Sequence, residues 1–174
     1  MEIRALRDTD DRTAFRSGEA DLDRFLAKYA GQNQFRHHIG VTYVARDAER
    51  IVGYATVAAG TLEAESLPAS QRKKLPGYPL PVLRLARLAV DVTAQSRGVG
   101  TALLRHTFRL AVEMSERFGC VGIVVDAKAG AVDFYSRLGF SAIELVEGGI
   151  ASRPEPLAMF LPLALLVGSA GVRS

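Results

Sequence analysis

The run Gln95-Ser96-Arg97-Gly98-Val99-Gly100-Thr101 constrains this chain more than any other segment. It lies between an apolar stretch, Leu88-Ala89-Val90, and a long amphipathic pattern that opens at Val99. Strand, glycine-bearing turn and helix start, in that order, make an anion cradle. Gly98 and Gly100 let the backbone approach a ligand closely. The N–H groups of the first helical turn have no helical partner and point at that ligand, and the helix dipole favours negative charge there. A diphosphate suits such a place. Glycine turns before helices also occur simply to turn the chain. The run is neither Gly-x-Gly-x-x-Gly nor a Walker loop, so it gives little support to a nucleotide cofactor or an NTPase. The sequence on either side has to decide.

At 174 residues, 48% hydrophobic and 24% charged, the chain suits one soluble domain with a single core, read here as 1–167 with a frayed tail over 168–174. The single cysteine, Cys120, sits in an apolar run and reads as a small buried hydrophobe. It excludes a disulfide framework and argues against a cysteine-based zinc site. His37 and His38 are adjacent with no third ligand at a sensible spacing, so they read as a loop pair and no metal is expected. Met1-Glu2-Ile3-Arg4 does not open a signal peptide. The longest apolar stretch, Leu157 to Val167, is too short for a bilayer and contains Pro162. A cytoplasmic protein with no membrane association is expected.

The net charge of +3 is unevenly spread. Between Ser66 and Val112 eight basic residues (Arg72, Lys73, Lys74, Arg84, Arg87, Arg97, Arg105 and Arg109) face one acid, Asp91, whereas the first forty residues balance seven against seven. Such a stretch suits a polyanionic ligand, a nucleic acid, or both. Solvated surface arginines are the plainer reading of any one of them.

Periodicity predicts strands at Glu2–Leu6, Val41–Ala45, Ile51–Ala59, Val82–Val90, Val121–Val125, Phe140–Leu145 and Leu157–Leu161. The unbroken apolar character of Val82–Val90 suggests a central strand. Helices are predicted at Asp21–Tyr29, with Asp21 as N-cap, at Val99–Phe118, capped by Gly119, and at Ala129–Leu138, ended by Gly139. A loop with one helical turn at Ala69–Lys74 fills 61–81. The fold class is α/β (α+β), a mixed sheet with helices packed on it.

Three segments together resemble the GNAT superfamily of acyl-CoA-dependent N-acetyltransferases. Arg87-Leu88-Ala89-Val90-Asp91 running into Gln95–Gly100 resembles the family's strand and its Arg/Gln-x-x-Gly-x-Gly/Ala pyrophosphate loop. Val124-Val125-Asp126-Ala127-Lys128 resembles the following strand, and Ala131 to Phe140 the Ala-x-x-x-Tyr-x-x-x-Gly-Phe ending. Many members carry Asn three residues before that alanine, in contact with the pantetheine arm; Lys128 stands there, a departure from the pattern.

The resemblance implies a mostly antiparallel GNAT sheet flanked by helices, and acetyl-CoA as co-substrate. Its pyrophosphate would rest on backbone N–H groups of Gln95, Ser96, Arg97, Gly98, Val99, Gly100 and Thr101. Its pantetheine amides would pair along Leu88, Ala89 and Val90 as an added strand does. A backbone N–H there would polarise the thioester carbonyl, a neutral amine would attack it, and Tyr135 would protonate the departing thiolate. Packing of a helix on the sheet is the bland role for Tyr135.

The N-terminal half resembles one branch of that superfamily. Phe15-Arg16-Ser17-Gly18, Asp21 to Leu26, Ala30-x-Gln32-Asn33-Gln34, Thr42-Tyr43-Val44 and Val52 to Gly60 are similar to acetyltransferase toxins of type II toxin–antitoxin pairs, of the TacT and AtaT type. The branch implies acetylation of the α-amine on charged tRNA, a homodimer and a ribbon-helix-helix antitoxin. Lys73, Lys74, Arg84 and Arg87 become candidates for tRNA phosphates; Arg84 and Arg87 could equally face solvent or pair with Asp91 or Asp126. Glu63 and Glu65 lie near where some relatives keep a general base, a role the weakly basic amine of an aminoacyl ester does not demand. The rival readings are an acetyltransferase of a small-molecule or peptide amine, and a non-catalytic acyl-CoA sensor or nucleic-acid-binding module.

Overall fold

The computed structural model describes residues 1–144 and 156–167. Its strands are β1 (Glu2–Ala5), β2 (Val41–Asp47), β3 (Arg50–Leu62), β4 (Leu80–Val90), β5 (Gly122–Ala127), β6 (Ser141–Ala142) and β7 (Leu157–Pro162). They follow the order β1-β2-β3-β4-β5-β7-β6, which puts β4 in the middle as its apolar run predicts. The pairs β1–β2, β2–β3, β5–β7 and β6–β7 are antiparallel. Helices are α1 (Ala20–Arg24), α2 (Ala30–Gln32), α3 (Ala69–Arg72), α4 (Val99–Arg117), α5 (Val132–Arg137) and α6 (Leu163–Val167). The chain divides into two compact units, Met1–Ala58 with Leu85–Thr107, and Ala59–Arg84 with Phe108–Ser174.

In the first unit Leu6, Phe15, Phe25, Leu26, Ala30, Val44, Ile51, Tyr54 and Ala89 form a buried cluster. Tyr54 is fully buried between Phe15 and Phe25, and its hydroxyl donates to the Leu22 carbonyl at 2.7 Å. That bond satisfies the one polar atom a buried tyrosine brings inside. Helix α1 starts one residue earlier than predicted, with Glu19 at the N-cap, so Asp21 is not the cap. Asp21 instead pairs with Arg24 on the surface at 3.2 Å. The helical path also runs well past Tyr29, through wide turns at Phe25–Tyr29 and Asn33–His37, to a left-handed His38. Gly31 and Asn33 are weak helix formers. Tertiary bonding holds them: Gln34 donates to the Leu6 carbonyl at 3.1 Å and accepts from the Thr42 N–H at 2.9 Å. His37 thus ends a helix rather than lying in a loop, and its ring faces Gln32 at 3.2 Å.

A half-buried ion pair secures the start of this unit. Asp10 takes two hydrogen bonds from Arg4, at 2.9 and 2.7 Å, and one from the Arg7 N–H at 2.8 Å. The Arg4 bonds outweigh burial and hold its carboxyl down at about 2. Because the folded value lies below the unfolded one, the stabilisation is complete above about pH 4 and disappears as pH falls through about 2. Thermal melts from pH 5 downward should show Asp10→Asn losing much less stability than wild type over that window.

In the second unit Leu62, Ala64, Leu67, Leu80, Val82, Val124, Ile143, Ala158 and Phe160 are buried together. Gly119 (φ +102°) closes α4 as predicted, its N–H reaching the Met114 carbonyl at 3.0 Å. Phe118, the last residue of the predicted helix, lies past α4, which stops at Arg117, and is 72% exposed. Cys120 is buried, donates to the Gly122 carbonyl at 3.2 Å, and burial pushes its thiol up, which fits an inert packing residue. The strand predicted over 140–145 is only Ser141–Ala142; Phe140 is buried in the turn after Gly139, and Leu145 lies outside the described residues. Helix α6 was not predicted from the apolar run that contains it, and the expected tail over 168–174 lies outside the described residues.

Candidate active site

The cradle is built where β4 ends. Ala89 is buried beneath Leu88 and Val90, which are half-buried, and Asp91 is the first residue past the strand. Across on β3 the register with β2 slips: Ala45 faces Gly53 and Arg46 faces Ile51, leaving Val52 unpaired. Such a bulge re-aims the backbone. The Val52 carbonyl accepts the Asp91 N–H at 2.9 Å, which fixes the point where β4 gives way to the turn.

Residues 92–98 form that turn, with Ser96 (φ +62°) and Gly98 (φ +82°) both left-handed and both exposed. A Cβ built on Gly98 would meet nothing within 4 Å, so the backbone faces open space on that side. Helix α4 then runs for nineteen residues. Its first bond joins the Ala102 N–H to the Gly98 carbonyl at 3.0 Å, so the N–H groups of Val99, Gly100 and Thr101 precede helical pairing. Open approach, left-handed backbone and a long helix start are what a pyrophosphate requires, and the residues present fit acetyl-CoA.

The first turn of α4 is seated by a contact absent from the motif. Val99 is buried, and a Cβ on Gly53 would lie 2.7 Å from its Cγ1, 3.0 Å from Leu103 Cδ1 and 3.2 Å from the Ala89 carbonyl oxygen. Only glycine at 53 lets β3 and β4 receive this helix start. Side chains within the turn also brace it. Gln95 Nε2 donates to the Ser17 carbonyl at 2.9 Å and to the Val90 carbonyl at 3.1 Å, while Arg97 reaches the Thr93 carbonyl at 3.3 Å. The Gln95 side chain therefore serves the scaffold, and one acceptor at the end of β4 is already shared.

Tyr135 belongs to the second unit. It lies on α5, is 6% exposed, and meets Phe134 and Phe140 edge-on at ring distances of 5.2 and 5.3 Å. Burial pushes its phenol up to about 12. The group is protonated throughout the physiological range, the state an acid must be in.

The basic candidates are dispersed in role. Lys73 and Lys74 are exposed just after α3. Arg84 pairs with Asp126 at 3.2 Å, one of the alternatives open from sequence. Arg87 does not pair with Asp91; its guanidinium lies 3.7 Å over the Phe25 ring, a cation–π contact. Asp91 takes Arg50 instead, at 3.0 Å. Among the described residues no group of three or more His, Cys, Asp or Glu could hold a metal, and no helix is long and apolar enough to cross a membrane.

This fold and cradle define a class, and the chain belongs to it: residues 38–142 match the acetyltransferase (GNAT) domain family. A tRNA-acetylating toxin of Mycobacterium tuberculosis (strain ATCC 25618 / H37Rv) is 37% identical over 124 residues, covering 71% of this chain and 74% of the relative. A crystal structure of a tyrosine-to-phenylalanine variant of KacT is 30% identical with a TM-score of 0.82, over 96% of this chain and 97% of that one. AtaT complexed with acetyl-methionyl-tRNAfMet is 29% identical, also at 0.82, over 95% and 96%. The fold is accordingly the mixed, mostly antiparallel GNAT sheet flanked by helices.

Proposed function

We propose that this chain is a toxin-like N-acetyltransferase that moves the acetyl group of acetyl-CoA to the α-amine of aminoacyl-tRNA. The observation that carries the reading is the cradle at the end of β4, open at Gly98 and followed by α4, in a chain 37% identical to a tRNA-acetylating toxin. AtaT has been solved with acetyl-CoA and with the C-terminus of the antitoxin AtaR, which supports both as partner classes here. A ribbon-helix-helix antitoxin, a homodimer, a cytoplasmic location and an acetyltransferase domain spanning 1–167 complete the proposal.

Backbone N–H groups from Gln95 to Thr101 bind the pyrophosphate. Leu88, Ala89 and Val90 align the pantetheine amides, and a backbone N–H of that strand polarises the thioester carbonyl. The amine nitrogen attacks as the neutral base and forms the C–N bond. As the C–S bond breaks, Tyr135 gives its proton to the leaving sulfur. The surplus proton on nitrogen passes to water, from which the phenol is restored. A phenol at about 12 is a weaker acid than a thiol near 8.5, so the transfer is uphill by itself and is drawn forward by amide formation and by return of a proton to the phenolate from water.

Transfer of labelled acetyl to charged tRNA, beside uncharged tRNA and small amines, tests the reading. Label on charged tRNA alone supports it; label on a small amine alone overturns the tRNA substrate. Lys73 and Lys74 are proposed to hold tRNA phosphates. Lys73→Glu with Lys74→Glu should lower kcat/KM for charged tRNA about tenfold or more near 0.1 M salt and flatten its salt dependence. The acetyl-CoA Kd should not change. Undiminished transfer to tRNA would remove these lysines from the interface.

A further inference from the structure

We infer that Asp91 is the positioning residue of the acetyl-CoA loop, acting by tying that loop to the chain segment Arg16–Ser17; this rests on the cofactor reading above. Asp91 is the one acid in the basic stretch, yet its side chain is only 1% exposed. A buried carboxylate persists where hydrogen-bond donors reach it, and here four do, from Arg16, Arg50 and Thr93. Oδ2 accepts the Arg16 N–H at 3.0 Å. Oδ1 accepts the Thr93 N–H at 3.0 Å, the Thr93 hydroxyl at 2.7 Å and the Arg50 guanidinium at 3.0 Å. Burial alone would raise this carboxyl, but the bonds from Arg16 and Thr93 prevail and hold it below its ordinary value.

The tie is reinforced on both sides. The Val92 N–H returns a bond to the Arg16 carbonyl at 2.8 Å, and Gln95 reaches the Ser17 carbonyl at 2.9 Å. Ser17 is in turn held by Asp23 through its N–H at 2.8 Å and its hydroxyl at 2.6 Å. The turn that carries Ser96 and Gly98 is thus clamped between the Val52 carbonyl behind it and Arg16–Ser17 beside it, with Asp91 as the shared anchor. None of these groups needs to touch the cofactor. They decide where its N–H donors point.

Asp91→Asn is the informative change. An amide can keep an acceptor toward Thr93, but its NH2 then opposes the Arg16 N–H, donor against donor. Calorimetric titration of the full chain with CoA should show the Kd raised about tenfold or more, since donor placement sets such affinities. The acetyl-CoA KM should rise alike, with kcat at saturation held within about twofold. Without ligand, amide exchange at residues 92–98 should quicken. Asp10→Asn removes another hydrogen-bonded, ion-paired carboxylate elsewhere; it should lower the melting temperature and leave the CoA Kd unchanged. Thr93→Val deletes only the hydroxyl leg and should weaken CoA severalfold, whether or not Asp91→Asn folds. A folded Asp91→Asn or Thr93→Val with wild-type CoA affinity and exchange overturns the inference alone. A wild type that binds no CoA overturns the cofactor reading and this inference with it.

Discussion

Tyr135→Phe is expected to cut kcat for acetyl transfer by about 10²- to 10³-fold, the range general acids contribute, while the Kd for acetyl-CoA stays at its wild-type value. The substitution is unusually clean. Among the described residues no hydrogen bond to the Tyr135 hydroxyl is found, and the ring is held by edge-on contacts with Phe134 and Phe140 that phenylalanine keeps. Thermal stability should therefore move little. The pH profile gives a second readout. With its phenol at about 12, wild-type kcat/KM should rise as the substrate amine loses its proton and then stay level to about pH 9. A falling limb between about pH 8 and 9 would contradict a phenol acid with that value. Unchanged turnover in Tyr135→Phe would remove Tyr135 from the reaction and leave it the bland role of packing α5.

What could be read from the chain was local. The apolar run of β4, the stripe of α4, Gly98 in its turn and Gly119 at the helix end all declare themselves within a few residues, and each is present. The supports of the cradle could not be read that way. Asp91 meets Arg16 across 75 positions and Arg50 across 41, so the sequence presents it only as an isolated acid among bases. Gln95 matches the motif's first position, but nothing local says that its amide would hold Ser17 rather than ligand. The wide-turn helix through His37 is held by Gln34 bridging Leu6 and Thr42, while Gly31 and Asn33 within it argue against helix. The site's chemistry is thus written in a contiguous motif, whereas its geometry is set by partners that only the fold brings together.

Gly53 shows how much rests on such a partner, and Gly53→Val should have the largest structural effect of any change near the cradle. Val99 Cγ1 stands 2.7 Å from where the first added carbon would go, and Val99 is stiff at χ1. Leu103, at 3.0 Å, is fully buried and has little room to turn away. The helix start must then lift from β3. Overpacking of this kind costs about 1–3 kcal/mol for modest insertions, and the valine should lie at or above the upper end. Lifting the first turn also moves the N–H groups of Val99, Gly100 and Thr101, so CoA affinity should fall together with melting temperature, whereas Asp10→Asn lowers stability alone. A double-mutant cycle isolates the contact. Gly53→Ala and Val99→Ala should each destabilise, but together by less than their sum, because removing Cγ1 vacates the space the new methyl enters. Strict additivity would mean that α4 is seated by something other than the glycine on β3.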